Sequence, residues 1–333
     1  MQALRRVRLA VRKYLPQGAQ VLLAVSGGAD SLALADACAE LVQAGRLTAF
    51  VLHVEHGLRG EASLADAHLV QRFCQERELP FVCVHADVKA YVAGRGHVSL
   101  ESGARDLRYR ALAQEAKRVG AAYIVTAHHG DDQAETVLLR LLRGSGTAGL
   151  GAMSIKNGCL LRPFLELRRQ ELEQYCRLKQ IAYCHDGSND DAYYLRNRVR
   201  LELLPYLERR FNPEVRRALR QAAAVLQEDE AYLAELAAVQ YEALASKDEN
   251  DLPLLDARRL AKLPQALRRR VLRQACFAAG MKDLSYEHTA ALDRLCRSGV
   301  NGKRLDLPGF FTAALIKGRL HFKRDREKQH GYK

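Results

Sequence analysis

In the first half of the chain, polar stretches gather side chains of the kinds that handle phosphates, metals and protons. The first holds Ser26, Gly27, Gly28, Ala29, Asp30 and Ser31; it follows an apolar run and opens a helical pattern containing Leu32, Leu34 and Ala35. Glycines there let a backbone approach a phosphate with no Cβ in the way, and a helix start offers unpaired N–H donors at a positive dipole end. Hydroxyls of Ser26 and Ser31 complete an anion cradle. It is not a Walker loop, because no GxxxxGK followed by Ser or Thr occurs and no Lys ends it. Asp30, a carboxylate beside phosphates, has to hold a metal, orient a nucleophile or be repelled, and one of the first two is expected.

Two further stretches are HVEHGLRG, with His53, Glu55, His56 and Arg59, and HHGDDQAET, with His128, His129, Asp131, Asp132 and Glu135. Asp131 and Glu135 are four apart and Asp132 and Glu135 three apart, so at a helix start they share one face and present convergent carboxylates. Such a cluster suits Mg²⁺ or an ammonium group. Asp131 and Asp132 could simply cap the helix, but two His and three acids beside one strand end exceed what a cap needs. The H-x-x-H spacing of His53 and His56 and the His128–His129 pair invite zinc, yet no third ligand of fixed spacing supports it.

These stretches need a scaffold, and the sequence provides alternating short apolar runs and longer helical patterns. Strand candidates lie at 20–25, 47–54, 80–86 and 122–128, each followed by a loop and a helix, as a doubly wound, mostly parallel α/β sheet requires. Ligands of such sheets bind beyond the carboxyl ends of the strands, so the loops starting at Ser26, Glu55 and His129 should meet in one cleft. A catalytic domain is expected over 1–212. An Ala-rich helical linker over 213–248 places Val215, Leu219, Ala222, Leu226, Leu233 and Leu236 at helical spacing. A small α+β domain over 249–333 follows, with strand-like pieces KRLDL, FTAALI and RLHF.

Charge points to the partner. The balance of 52 Lys and Arg against 39 Asp and Glu gives +13, which attracts polyanions and makes nucleic acid the leading candidate. None of the eight cysteines stands in a CxxC arrangement, so neither a zinc site nor a disulfide framework is expected, and a reducing, cytoplasmic setting is. The basic start, MQALRRVRLAVRKYL, looks like a transit peptide, but an apolar strand begins by Val21 and the stretch is expected to be a surface helix. No run of about 20 apolar residues could span a membrane.

SGGADS is similar to the pyrophosphate loop of ATP-pyrophosphatases, which cleave ATP to AMP and pyrophosphate while adenylating a carbonyl-type oxygen. Taken together, SGGADS, HGLRGEAS, LESGARDLRYR, HHGDDQAET and DGSNDDAYYLRNRVRLELLPYLERRFNP resemble, in the same order, the tRNA(Ile)-lysidine synthetase family over about residues 18–215. A weaker likeness at NGKRLDLPGFFTAALIKGRLHF matches that family's C-terminal substrate-binding domain. Departures are Glu55 where members often carry Asp or Asn, Ala127 where Gly is usual, and Asp186-Gly187 where Asp-Pro is usual. The chain looks short for the family, so a further C-terminal tRNA-binding module is expected to be absent.

The resemblance implies an adenine nucleotide alpha hydrolase-like fold and a reaction in two steps. Cytosine O2 of the anticodon wobble position attacks the α-phosphate of ATP, and the ε-amine of L-lysine then displaces AMP from C2 to give lysidine in a CAU-anticodon tRNA(Ile). It implies nucleotide binding by Ser26, Gly27, Gly28, Ala29, Asp30, Ser31 and His53, with Mg²⁺ on Asp30 and Asp131. Catalytic roles fall to Asp30, Arg105, Asp132 and Glu135, with Asp132 and Glu135 holding lysine. Substrate contacts fall to His56, Arg59, Arg108, His129, Asp131, Arg196, Asn197, Arg198 and Arg200. RNRVR and RRALR (216–220) are positioned to grip RNA, and clusters at Arg268, Arg269, Arg270 and Arg273 and at Lys323, Arg324 and Arg326 extend the footprint. A homodimer is compatible with the resemblance alone.

The amine poses the harder problem. With a pKa of about 10.4 it is almost all ammonium at neutral pH, and acids that bind the ammonium raise that value further. One acid has to accept the proton or be screened by metal, and Asp30, with His56 and His129 in reserve, is a candidate. Two other activities fit parts of the pattern. A tRNA thiolase would need paired or catalytic cysteines in these loops, and a nucleotide-gated RNA binder without turnover would leave the acidic cluster unexplained.

Overall fold

The computed structural model describes residues 1–57, 60–93, 95, 99–184, 195–282 and 284–324. Two units divide the chain, Met1–Gln227 and Glu228–Lys333. In the first, α1 (Gln2–Tyr14) precedes β1 (Gln20–Ala24), α2 (Ala29–Gln43), β2 (Thr48–Glu55), α3 (Glu61–Glu76) and β3 (Phe81–His85). Next come α4 (Val88–Ala93), α5 (Leu100–Arg118), β4 (Tyr123–Val125), α6 (Gly130–Leu142), α7 (Thr147–Leu150), β5 (Lys156–Asn157), β6 (Leu160–Leu161) and α8 (Arg169–Leu178). The sheet order is β3-β2-β1-β4-β6-β5, parallel except for the β5–β6 pair.

β1 reads as a continuous apolar run because both of its faces are covered. Val21 and Leu23 pack with α1, α2 and α8, while Leu22 joins Leu52, Ile124 and Leu112 on the opposite face. The chain leaves β1 to one side through β2 and returns on the other as β4, which makes the β1–β4 boundary the topological switch point. The loops after these two strands begin at Val25 and Thr126, so SGGADS and HHGDD are brought to one place. β4 is shorter than the run at 122–128, because Thr126 to His129 leave the ladder to enter that cleft.

α2 carries Asp30 and is pinned from behind. Its Asp36 is 2% exposed, accepts from the Tyr175 hydroxyl of α8 at 2.7 Å and from Arg77 Nε at 2.8 Å, and is thereby satisfied as a buried carboxylate must be. The N-terminal basic stretch is the surface helix expected. Arg8 on it makes a paired contact with Glu40 of α2.

α9 (Leu195–Arg198), a π-turn at Val199–Leu203, and α10 (Leu204–Arg210) follow. The widened turn sits where Pro205 has no N–H to give to the carbonyl of Leu201, a common cause of a local register change. The expected helical bridge is one helix, α11 (Val215–Leu244), started by Asn212 and Pro213 and contributing to both units. No helix among the described residues is long and apolar enough to cross a membrane.

The second unit has β7 (Ala245–Lys247), β8 (Pro253–Asp256), α12 (Ala257–Ala261), α13 (Gln265–Ala278), α14 (Tyr286–Ser298), β9 (Arg304–Leu307), β10 (Phe311–Ile316) and β11 (Arg319–Arg324). They form an antiparallel sheet ordered β7-β8-β11-β10-β9. Lys317 and Gly318, at φ 48 and 77, make the two-residue turn between β10 and β11. The charged stretch at 246–251 partly pairs as β7 with β8. Arg268, expected on an RNA face, is instead buried on Asp293, and Arg270 pairs with Glu230. Arg326 lies outside the described residues.

Candidate active site

The phosphate loop is held open by its own backbone. Gly27 has φ +94, so glycine is favoured there by its backbone angle, although a Cβ would meet Val70 Cγ2 at 3.4 Å and Cys184 Sγ at 3.6 Å only in ordinary contact. Ser31 Oγ accepts from Ser26 N at 3.1 Å and donates to Gly28 O at 3.0 Å. Gly28, the N-cap of α2, gives no side-chain cap, leaving the first N–H groups of the helix for a ligand. His53, 4% exposed, lies with Nδ1 2.9 Å from Val25 O. A carbonyl only accepts, so that nitrogen carries the proton and supports the loop from β2.

Across the switch point, His129 caps α6. Its N–H donates to Asp132 Oδ2 at 3.0 Å. Its ring lies between three carboxylates: Nε2 is 3.4 Å from Asp30 Oδ2 and 3.5 Å from Asp132 Oδ2, and Nδ1 is 3.8 Å from Asp131 Oδ2. Burial opposes the charge on this imidazole, but Asp132, Asp30 and Asp131 outweigh it and hold its pKa at about 9. With both ring nitrogens protonated, the 3.4 Å approach of the Asp132 N–H to Nδ1 contributes little, and the cap rests on the Asp132 carboxylate. Burial likewise pushes Asp132 upward, but His129, His128 and Arg196 overcome it and keep this acid at about 2.

The neighbouring His128 behaves oppositely. Burial, together with the cations Arg108, Arg162 and Arg196, drives it down to about 3, and its Nδ1 is 2.8 Å from Thr126 Oγ1. Adjacent imidazoles therefore stay in different charge states near neutral pH, one neutral and one cationic.

Glu135 is 1% exposed and is answered by two arginines. Arg200 reaches it with Nε at 2.6 Å and Nη2 at 3.0 Å, and Arg196 with Nε at 3.0 Å. The same guanidinium groups touch Asp132 Oδ1 at 3.2 and 3.3 Å. Two carboxylates face two guanidiniums, so this part of the site is charge-balanced. Arg196 and Arg200, expected on RNA phosphates, are turned onto the acids; Arg198 is exposed, and Asn197 is half-buried on the same turn.

A cavity of about 680 Å³ extends from the phosphate loop past His53, His56, Arg105 and Arg108 to His129 and Asp132. Arg105 and Arg108 flank Tyr109, at 4.9 and 5.9 Å from its ring centre. Burial, with Arg105 and Arg196 nearby, pushes Arg108 below its ordinary range, and no carboxylate among the described residues forms an ion pair with it. An anion in the cavity would relieve that cost. A smaller cavity of about 320 Å³ lies beyond, lined by Asp131, Glu135, Glu208 and Arg216, with His129, Arg169 and Arg200 lining both.

Asp131 belongs to that second side. Its Oδ2 accepts the Arg169 N–H at 2.8 Å and its Oδ1 is 3.6 Å from Arg216, so the structure does not pair it with Asp30 as joint Mg²⁺ ligands. Asp30 does fit a metal beside phosphates: its Oδ1 is buried with no hydrogen-bond partner among the described residues. Among the described residues no three or more His, Cys, Asp or Glu side chains are arranged so that together they could hold a metal ion. Arg59 lies outside the described residues. Arg169 was not singled out from sequence, and nothing in its helical context separates it from a surface residue. Of the eight cysteines, Cys184 alone lines the larger cavity.

Fold and site define an ATP-type nucleotide domain with a glycine-rich, lysine-free phosphate loop. Residues 2–207 match the PP-loop domain model, and residues 255–321 match the TilS substrate binding domain. A tRNA(Ile)-lysidine synthase of Thermobifida fusca is 41% identical over 312 residues, covering 91% of this chain and 92% of that one. One of Geobacter sulfurreducens is 41% identical over 297 residues, which is 87% of this chain but 62% of the relative's length. The chain belongs to the tRNA(Ile)-lysidine synthase family. A solved structure, the U34-tRNA thiolase NcsA from Methanococcus maripaludis with its 4Fe-4S cluster, aligns with a TM-score of 0.56 at 20% identity over 68% of this chain and 78% of that one. That likeness is one of fold.

Proposed function

We propose that this chain ligates L-lysine to C2 of the wobble cytidine of a CAU-anticodon tRNA(Ile), with ATP consumed through an adenylated cytidine. The observation that carries the reading is the meeting of Asp30, from the phosphate loop, with His129 and Asp132 in the larger cavity, with Glu135 on the smaller cavity that shares His129 and Arg200 with it. Nucleotide chemistry and an amine site adjoin there. The family relatives named above support the tRNA and the lysine.

In the first step the cytosine O2–phosphorus bond forms and the bond to pyrophosphate breaks. Ser26, Ser31 and the open N–H groups of α2 hold the departing phosphates, and Arg108 with Arg105 answers the charge on the α-phosphate. Asp30 would hold Mg²⁺, which when bound neutralises phosphate charge.

In the second step the lysine nitrogen bonds to C2 and the C2–O2 bond to AMP breaks, releasing one amine proton for each bond made after the ammonium has lost its first. Because Arg196 and Arg200 already neutralise Asp132 and Glu135, these acids orient the amine without trapping it as ammonium. Asp30, turned toward the phosphates while ATP is intact, takes the proton once pyrophosphate has left. The eight free cysteines suit a cytoplasmic setting.

Exchange of labelled pyrophosphate into ATP tests the order of steps. Exchange should require the tRNA and proceed without lysine. Exchange that needs lysine and no RNA would mean that lysine is the group activated, and the proposal would fall.

A further inference from the structure

We propose that Tyr206 and Phe211 form a stacking platform for unpaired bases of the RNA loop that carries the target nucleotide. The inference rests on the tRNA reading above and adds a contact surface to it. Both rings are left in water, 50% and 71% exposed. They lie edge to face with centroids 5.8 Å apart and planes at 60°.

The platform is rigid and well placed. Leu204 and Leu207, on the inner side of α10, pack with Leu138 and Leu139 of α6, the helix that carries Asp132 and Glu135. Phe211 is tied to the end of α10 by its N–H to Leu207 O at 3.0 Å, and the next residue repeats the contact at 2.9 Å. Glu208 and Pro213, from the same segment, line the small cavity that reaches Glu135 and Arg200. The segment that bears the rings therefore also supplies part of that wall, while the rings themselves face solvent beside it.

Charge selects the occupant. Arg209, Arg210 and Arg217, near the rings in sequence, are exposed and form no ion pair with a carboxylate among the described residues. Every base has a π face that an aromatic ring can stack on, and unpaired guanidinium groups nearby collect the phosphates. A second copy of this chain would bring the same cationic segment against itself, which like charges oppose. Single-stranded RNA satisfies both features at once.

The test uses the full chain and an anticodon stem-loop carrying 2-aminopurine in the loop beside the target cytidine, with stacking read as fluorescence quenching. Wild type and Phe211→Trp should quench it. Phe211→Leu and Tyr206→Leu, which keep apolar bulk and lose the π face, should lose the quenching and raise the KM for tRNA about tenfold, the scale of one stacked base. Their melting temperature and ATP affinity should be unchanged. Leucine variants that quench and turn over as wild type, in an enzyme that modifies tRNA, would overturn the platform and leave the function standing. A wild type that neither binds nor modifies the RNA would overturn both.

Discussion

The Asp30 carboxylate lies 3.4 Å from Nε2 of His129, and this contact joins the loop after β1 to the loop after β4 across the switch point of the sheet. It places an acid whose other oxygen has no hydrogen-bond partner among the described residues against an imidazole held cationic by three carboxylates. The consequences for stability and turnover can be separated by experiment.

The first consequence is a pH profile with two flanks. Asp132 has a folded pKa of about 2, below its ordinary value of about 3.9, so its contribution is full above that value and is lost as pH falls toward 2. His129 has a folded pKa of about 9, above the ordinary value of about 6.5, so its contribution is full below 6.5 and is lost as pH rises toward 9. Melting temperature should fall on both sides. His129→Gln should flatten the alkaline limb, and an unchanged limb in that variant would assign it elsewhere.

Glu135 should matter for folding as well as for lysine. Glu135→Ala leaves Arg196 and Arg200 facing Asp132 alone, and because these arginines keep some solvent contact the cost should be about 3 kcal/mol, the low end for breaking a buried pair. Adding Arg200→Leu should recover part of it in urea unfolding. A double variant no more stable than the single one would mean that Glu135 is held by packing rather than by charge.

Arg108 should show the reverse pattern. It is a half-buried cation with no carboxylate ion pair among the described residues, so Arg108→Met should leave the melting temperature of the free protein unchanged or slightly raised. ATP binding should weaken about tenfold or more, equivalent to ~1.4 kcal/mol or greater. Calorimetric titration with a non-hydrolysable ATP analogue measures this, and unchanged affinity would remove Arg108 from the phosphate site.

Much of this site was legible in the sequence because local rules and function coincide there. β1, SGGADS and α2 could be read in order, since a strand covered on both faces is a continuous apolar run and a glycine-rich turn has few other uses. In HHGDD the capping reading holds for Asp132, which caps α6 together with His129, but not for Asp131, which turns to Arg169; His129 and Asp132 also lie in one charged cluster. The partners of Glu135 were not legible, because Arg196 and Arg200 are 61 and 65 residues away and no periodicity joins them. The side on which Asp131 falls was equally hidden, since it depends on the backbone N–H of Arg169 at the start of another helix. Arg268 misled for a related reason: a run of arginines looks like a surface, and one of them found the buried Asp293.

The central claim is tested most directly by transfer of labelled L-lysine onto a CAU-anticodon tRNA(Ile), with ATP and Mg²⁺, by wild type and by Asp30→Ala. The account predicts incorporation by the wild type and its loss in the variant at unchanged fold. Wild-type protein that is folded and releases AMP in the presence of the tRNA, yet incorporates no lysine, would contradict it.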